Sequence, residues 1–565
     1  MKIARIDLTK QSVKLLGVPK RWEEEYLGGK GIATKLLFEI PPKVYPFHPA
    51  NAIIFGIGPI TGVPLPGSSR MTAVFKSPLT FGYGESQCGG FIGYEMRKTG
   101  IDFLYITGKA KKPVYIVVNE QSVEIKDAGH LWGKDAFEVE EILKKDEGGE
   151  VISIGQAGEN LVRFACATHR KGRQFGRCGV GAVMGSKRLK AIVIKGNKEI
   201  EVIDPDGLKE FRKRMHENIV SKLRSLREYG TPAISLVTNE VGALPTKYWQ
   251  EGSFGEFEKI SPDVFNRYIK RHSSCYACSV ACGKIRAVNG IEVEGPEYET
   301  LYAFGSLCYN SDPESIMKAN ELCDRYGLDT ITTGNVVAFY MACSEAGEVK
   351  EKVNFGDSEG ILDLIEKIAF REGIGDVLAE GTRIAAEKLN VSIEPVHVRG
   401  LEPAGYDPRA LYGMALGYAT SQRGACHLRS CAYRANLAGL ADPQSPEGQA
   451  EIVKDYEDFY CVIDSLVFCR FLCVPAIGLY WEDISELYKI VTGKEISVEK
   501  LKEIGAKIWN MTQEFNLREG LTDVETLPST FFKPLRHRNL EITLKKEDFE
   551  KMVQEYKKLR SKISG

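Results

Sequence analysis

Three cysteines fall within one eight-residue stretch, Cys275-Tyr276-Ala277-Cys278-Ser279-Val280-Ala281-Cys282. This C-x2-C-x3-C spacing gathers three thiols within a turn or two of chain. Thiolates are natural ligands of iron–sulfur clusters, and a cubane takes four. The fourth must come from elsewhere, and Cys469 and Cys473 are the distant candidates. A zinc site usually brings a second C-x2-C or an H-x3-H pair, and the sequence has neither. A few core cysteines are the plainer alternative. The spacing favours a [4Fe–4S] cluster.

A length of 565 residues suits about three or four domains. Lysine and arginine balance aspartate and glutamate to a net charge of −1, so nothing global recruits nucleic acid or an anionic membrane. No apolar run reaches spanning length. Met1 to Asp7 reads as a strand and not as a signal peptide. Fourteen cysteines without a signal point to reduced thiols in the cytoplasm, some of them metal ligands.

Residues 1–203 are rich in strands. Ala52–Gly56, Met71–Phe75, Phe103–Thr107, Val114–Val118 and Ala191–Gly196 are short β-branched and aromatic runs punctuated by Gly and Pro. Without βαβ alternation they predict packed sheets. From Asp204 the pattern turns helical, with Leu208, Phe211 and Met215 on one face. Ile361–Phe370, Ile374–Leu389, Leu411–Thr420 and Phe549–Leu559 continue it. A break near Val391–Pro395 divides this part into 204–392 and 393–565. The expectation is an α+β protein: a β-rich N-terminal domain and two mainly helical domains, with no internal repeat evident.

Glycine-dense loops separate the strands: Gly58–Gly62, Pro66–Arg70, Gly84–Gly90 and Arg173–Ala182. Such loops let backbone N–H groups approach phosphates, and arginines add bidentate contacts. Ordinary hairpin turns are the plain alternative. None is followed by Gly-Lys-Ser/Thr at Walker spacing, which argues against a nucleoside triphosphatase.

Arg70 with Ser77-Pro78-Leu79-Thr80 and Gly89-Gly90, then Gly181 to Lys187, the three cysteines, Gly295 to Thr300, Asp324 to Asp329, Tyr406 to Arg409, Arg423 to Arg429 and Asp464 to Cys469 follow in one order. In that order they resemble the tungsten-containing aldehyde ferredoxin oxidoreductase family over nearly the whole chain. The resemblance implies a β-rich base and two helical domains closing over tungsten held by the dithiolenes of two molybdopterins, with no protein ligand to the metal. It further implies that Cys275, Cys278, Cys282 and Cys469 hold the [4Fe–4S] cluster, leaving Cys473 a structural thiol whose four-residue spacing from Cys469 would put both on one helix face. The segment before Cys469 departs from the family's D-x-x-G-L-C, having Val467 and Phe468 where Gly and Leu are expected.

On the same resemblance, Asp324, Leu328 and Asp329 bind one pterin, and Asp464 and Phe468 the other. Helix capping is the plain alternative for Asp324 and Asp329. Arg70 is expected between cluster and pterin. Gln87, Gly89, Arg173, Gln174 and Gly176 fall on loops for the pterin phosphates and a bridging Mg2+, which main-chain carbonyls near Gln87 and Gln174 complete. Arg423 and Arg429 add anion contacts. Glu299, with Glu297 as fallback, and His427 are the expected acid–base pair. Glu394-Pro395-Val396-His397 has metal-site letters, but Pro395 breaks the helix such a site needs.

The implied reaction oxidises an aldehyde to a carboxylic acid, with electrons leaving through the cluster to ferredoxin or another iron–sulfur carrier subunit. A homodimer is compatible with this reading. The alternatives are the catalytic subunit of a related tungsten complex, such as an aryl-CoA reductase, and an iron–sulfur electron-transfer protein without tungsten.

Overall fold

The computed structural model describes residues 1–476, 478–522 and 525–561. Its first part is two six-stranded sheets. The first holds β1 (Lys2–Asp7), β2 (Ser12–Gly17), β3 (Ile53–Gly56), β4 (Met71–Lys76), β5 (Tyr83–Cys88) and β6 (Phe103–Thr107). The second holds β7 (Val114–Val118), β8 (Val123–Asp127), β9 (Glu150–Ser153), β10 (Ala167–His169), β11 (Arg173–Phe175) and β12 (Leu189–Ile194). β3, β4, β9 and β12 are buried along their whole length, so apart from Lys76, Glu150, Ser153 and Lys190 they read as apolar or β-branched runs and not as alternating ones.

The strand orders are β2-β1-β6-β3-β4-β5 and, read from the other edge, β8-β7-β12-β9-β10-β11. Each sheet has one parallel pair, β1 with β6 and β7 with β12, and every other pairing is antiparallel. The two sheets therefore repeat one topology, which the letters do not show. The repeat lives in backbone hydrogen bonding, while lengths and side chains have diverged: β4 and β5 have six residues each, β10 and β11 three.

The helical part opens with helix Pro205–Lys222, capped by Asp204 through Gly207 N at 2.9 Å. Proline at its first position supplies a preset φ. A three-stranded sheet follows: β13 (Ile269–Ser273), β14 (Gly283–Val288) and β15 (Ile291–Glu294). The cysteine stretch is the connection between β13 and β14. The helices expected near 361–370, 411–420 and 549–559 are present as Ser358–Phe370, Tyr412–Thr420 and Lys546–Ser561. The helix expected over Ile374–Leu389 is two, Ile374–Leu378 and Thr382–Leu389. Gly381 at φ +86° separates them, a conformation that a helix interior cannot accept. No helix among the described residues is long and apolar enough to cross a membrane.

Candidate functional site

The β13–β14 connection lies against the glycine loop after β5. Cys275 Sγ accepts from Gly90 N at 3.1 Å, and Tyr276 N donates to Gly90 O at 3.1 Å. A Cβ on Gly89 would lie 3.1 Å from Cys275 Sγ and 3.3 Å from an Arg70 Nη, so a side chain there would press on both. Cys469 joins from the third part of the chain, against Gly67, whose carbonyl accepts from Cys469 N at 3.0 Å. Burial pushes the Cys278 thiol up to about 12, with Cys469 and Cys275 adding to the rise. Cys282 is raised by burial too, against the pull of Arg173, with Cys275 and Cys469 among the further causes. The four thiols thus share one neighbourhood. Among the described residues no three His, Cys, Asp or Glu side chains gather closely enough to hold a metal ion.

Cys473 is buried and lies at the end of a 3-10 turn, Arg470–Leu472, with its thiol 3.8 Å from Cys469 O. The four-residue spacing therefore does not place Cys469 and Cys473 on one α-helix face.

Two glutamine–aspartate pairs repeat the symmetry of the sheets. Gln87 is paired with Thr72 across β4–β5, and Gln174 with Thr168 across β10–β11. Gln87 Nε2 donates to Asp464 Oδ1 at 3.0 Å, and Gln174 Nε2 to Asp324 Oδ1 at 2.8 Å. Both aspartates stand near helix C-termini, on Gln449–Leu466 and Pro313–Tyr326. Each helix ends on a left-handed residue: Gly327 at φ 76° and Val467 at φ 58°. The next residues, Leu328 and Phe468, both buried, bond back to Cys323 O and Ile463 O at 2.8 and 3.0 Å. Valine thus adopts the backbone that glycine favours, an outlier for a β-branched residue, and the two segments keep one geometry.

The partners differ. Asp324 also accepts from Asn320 at 2.8 Å, and burial pushes its carboxyl well up. Asp464 takes Arg429 at 2.9 Å and Arg470. Asp329 caps helix Thr330–Glu345 through Ile331 N at 3.0 Å and binds Arg177 Nε at 3.1 Å, so its carboxylate has a structural role of its own.

Cations crowd this junction. Glu85, fully buried, contacts Lys30 at 2.9 Å and Arg429 at 2.5 Å. Arg70 donates to Gln87 O at 3.2 Å. Arg173 pairs with Glu294 at 2.5 Å and lies beside Cys275 and Cys282. Arg429 Nε and Arg470 Nη1 are buried without a partner. A Cβ on Gly176 would approach nothing nearer than Gln174 Cβ at 3.8 Å. Orphaned buried guanidinium N–H groups fit an anionic ligand.

Between the two aspartate segments lies the titratable pair. Glu299 is in the first turn of helix Tyr298–Phe304. Its Oε2 accepts from Gly405 N at 2.9 Å, while Oε1, buried and without a hydrogen bond, lies 3.4 Å from His427 Nε2. Burial raises the Glu299 carboxyl to about 8, against the opposing Gly405 bond. Burial, reinforced by Arg177 and Arg423, holds His427 well below its usual range, so its ring is neutral. His427 Nδ1 has no partner. Tyr298, Tyr302, Tyr406 and Tyr418 surround the carboxyl, and Tyr433 stacks on Tyr406 at 3.9 Å. Glu297, by contrast, is bonded by Thr231 and faces Cys282 and Lys284.

Sequence reasoning missed Cys426. Arg423 donates to its sulfur from Nε at 3.1 Å and Nη2 at 2.8 Å, and Leu428 N at 3.3 Å. Burial alone would raise this thiol, but Arg423, Arg429 and Arg177 outweigh it and hold it down at about 6. Its signal was its place beside His427, between two arginines. Glu394 is consumed by Ser529 and Thr530, and His397 Nδ1 by Gly400 N, so that motif offers no metal pair.

The description "Aldehyde ferredoxin oxidoreductase, N-terminal domain" matches residues 3–196, and "Aldehyde ferredoxin oxidoreductase, domains 2 & 3" matches 206–561. The chain is 37% identical over 560 residues to the tungsten-containing aldehyde ferredoxin oxidoreductase of Pyrococcus horikoshii, covering 94% of this chain and 91% of that one. It is 36% identical over 555 residues to the enzyme of the same name from Pyrococcus furiosus, with the same coverage. A similar fold occurs in the active-site complex BamBC of benzoyl coenzyme A reductase, at TM-score 0.85 and 24% identity, covering 99% of this chain and 94% of that one.

Proposed function

This chain belongs to the aldehyde ferredoxin oxidoreductase family, and from that premise we propose that it oxidises aldehydes to carboxylic acids and passes the electrons singly to ferredoxin. The observation that carries the reading is the buried Glu299–His427 pair, 3.4 Å apart, in a chain that also forms two equivalent glutamine–aspartate pairs. When bound, a tungsten bis-pterin supplies the two-electron acceptor and a [4Fe–4S] cluster the one-electron exit.

The residues present suit those groups. Asp324 and Asp464 offer carboxylate oxygens to pterin ring donors, while Arg70, Arg423, Arg429 and Arg470 suit pterin phosphates. Cys275, Cys278, Cys282 and Cys469 would hold the cluster. Carbonyls of the loops around Gln87 and Gln174 would suit a Mg2+ ion.

His427, neutral and with Nδ1 unpartnered, donates a hydrogen bond to the aldehyde oxygen through that atom. Glu299 Oε1 lies 3.4 Å from Nε2 without a hydrogen bond, which leaves the ring proton free to reside on Nδ1. As a carboxylate, Glu299 takes the proton of the attacking water. The tyrosine wall keeps bulk solvent from the pair.

The test is elemental analysis of anaerobically purified protein together with a panel of aldehydes and a viologen dye as acceptor. Tungsten, iron and aldehyde-dependent dye reduction are expected. Iron without tungsten or molybdenum, and no dye reduction, would leave an electron-transfer protein instead.

A further inference from the structure

The cysteine connection reaches the surface, and its surroundings are unlike the rest of the chain. Overall, 75 Lys and Arg face 76 Asp and Glu. Residues 264–291 carry five Lys or Arg and not one acidic residue; of the five, Lys284 and Arg286 are buried and Lys270 and Arg271 pair with Glu292. The two helices packed beside the connection, within 205–229, carry seven basic residues against four acidic. His216 of the first lies 3.3 Å from Ser279 Oγ. Lys213, one turn earlier, shares its face and is exposed. The second helix, Arg224–Tyr229, ends at Gly230, where a Cβ would lie 2.8 Å from Cys282 O. Arg227 is close enough to influence His272, and Arg224 is three residues before it on the same face. Arg224 and Arg227 are exposed and make no ion pair among the described residues. The acidic groups nearby are Glu217 and Glu228, with Asp263 turned to Tyr229. On the other flank Lys98 and Arg170 are held by Glu95 and Glu150. Tyr276, inside the cysteine stretch, stacks on Tyr94 at 3.8 Å, and both are half-buried.

We infer that the Cys275–Cys282 connection, with the exposed cations of Lys213, Arg224 and Arg227 and the Tyr94–Tyr276 stack, is the docking surface for an acidic one-electron carrier protein. The inference rests on the electron-exit reading above. A half-buried aromatic stack at one side of the connection and unpaired cations at the other have the anatomy of a contact centre and its charged rim. Complementary charge steers association and makes it salt-dependent. Each aldehyde oxidised with water gives one carboxylic acid, two protons and two electrons, so two carriers are each reduced by one electron in turn.

The test uses the holoenzyme and the double variant Arg224→Glu/Arg227→Glu. Three readouts are compared: aldehyde-dependent reduction of a cationic viologen, aldehyde-dependent reduction of an acidic ferredoxin, and direct binding of that ferredoxin without aldehyde. Dye reduction should be unchanged. Ferredoxin kcat/KM at low salt should fall by about tenfold or more, with a flatter salt dependence and weaker binding. Lys213→Glu should fall in the same direction, and Lys551→Glu on the C-terminal helix should change nothing. Unaltered ferredoxin kinetics and binding in the double variant would overturn the inference. So would equal losses in Lys551→Glu, or loss of dye reduction along with ferredoxin reduction. Absence of aldehyde-linked dye reduction in the unmodified protein would refute the proposed reaction, while the binding comparison would still decide the surface.

Discussion

Replacing Glu299 by glutamine removes a proton acceptor and little else. Its amide oxygen can still accept from Gly405 N, and its NH2 still faces His427 Nε2, the 3.4 Å contact of the carboxyl. Burial has raised this carboxyl from 4.5 to about 8, which disfavours its charged form by roughly 5 kcal/mol. At pH 7 about a tenth of the molecules then carry the carboxylate, and that share grows about tenfold per pH unit below 8. A rate that needs the base should rise with pH through about 8 and level above it. His427 is neutral throughout and adds no inflection of its own. At pH 9 the loss in Glu299→Gln should be about 10²–10⁴-fold, shrinking by about tenfold at pH 7, where the unmodified enzyme uses a minor form. The assay is viologen reduction with one aldehyde from pH 6 to 10, with tungsten and iron measured in each sample. A flat profile in the variant against a rising one in the unmodified enzyme supports the role. A rate that falls through pH 8 would make the protonated pair the active form. Near-normal turnover in Glu299→Gln would mean that no protein base is needed.

Three further outcomes follow from the cofactor residues. Cys282→Ser and Cys469→Ser should lose the reduced-cluster EPR signal and iron, whereas Cys473→Ser should keep both; loss in Cys473→Ser with retention in Cys469→Ser would exchange their roles. Asp324→Ala strands the Gln174 and Asn320 amides, at about 1–3 kcal/mol each, and should lower tungsten and pterin content. Asp329→Ala should additionally lower Tm in metal-free protein, because a helix cap worth about 0.5–2 kcal/mol is lost. Full tungsten occupancy in Asp324→Ala, read by mass spectrometry of the metals, would remove that residue from the cofactor site.

What the sequence disclosed depended on where each signal resides. The cysteine spacing and the two aspartate segments are local, so they were legible, and even Val467 for glycine leaves the separation of Asp464 and Cys469 intact. The repeat of the two sheets was not legible, because it is written in strand pairing between residues far apart: Ala4 beside Leu104, Ile116 beside Ile192. Gly381 was a visible break signal inside the helical run 374–389. The spacing of Cys469 and Cys473 implied a shared helix face only on the assumption of an α-helix, and a 3-10 turn stands there. Cys426 was illegible for a deeper reason. Its low-lying pKa comes from Arg177, Arg423 and Arg429, and Arg177 arrives from the β-rich part of the chain.

That convergence of cations also explains why the parts close where they do. Lys30, Arg177, Arg423, Arg429 and Arg470 are all buried, while the buried carboxylates paired with them are Glu85, Asp329 and Asp464. Arg423 makes no ion pair with a carboxylate among the described residues and rests on the Glu85 carbonyl and on the Cys426 sulfur, whose thiolate adds one more negative charge. A buried ion costs several kcal/mol unless its attraction to partners repays it, so this excess of positive charge is a liability in the protein alone. Anionic phosphates entering the junction would supply the missing partners, and they would do so from the glycine loops of the first part against arginines of the third. On this reasoning cofactor binding and closure of the helical part over the sheets are one process. The stability it adds is the linkage term of a ligand that binds the folded junction and not the open chain.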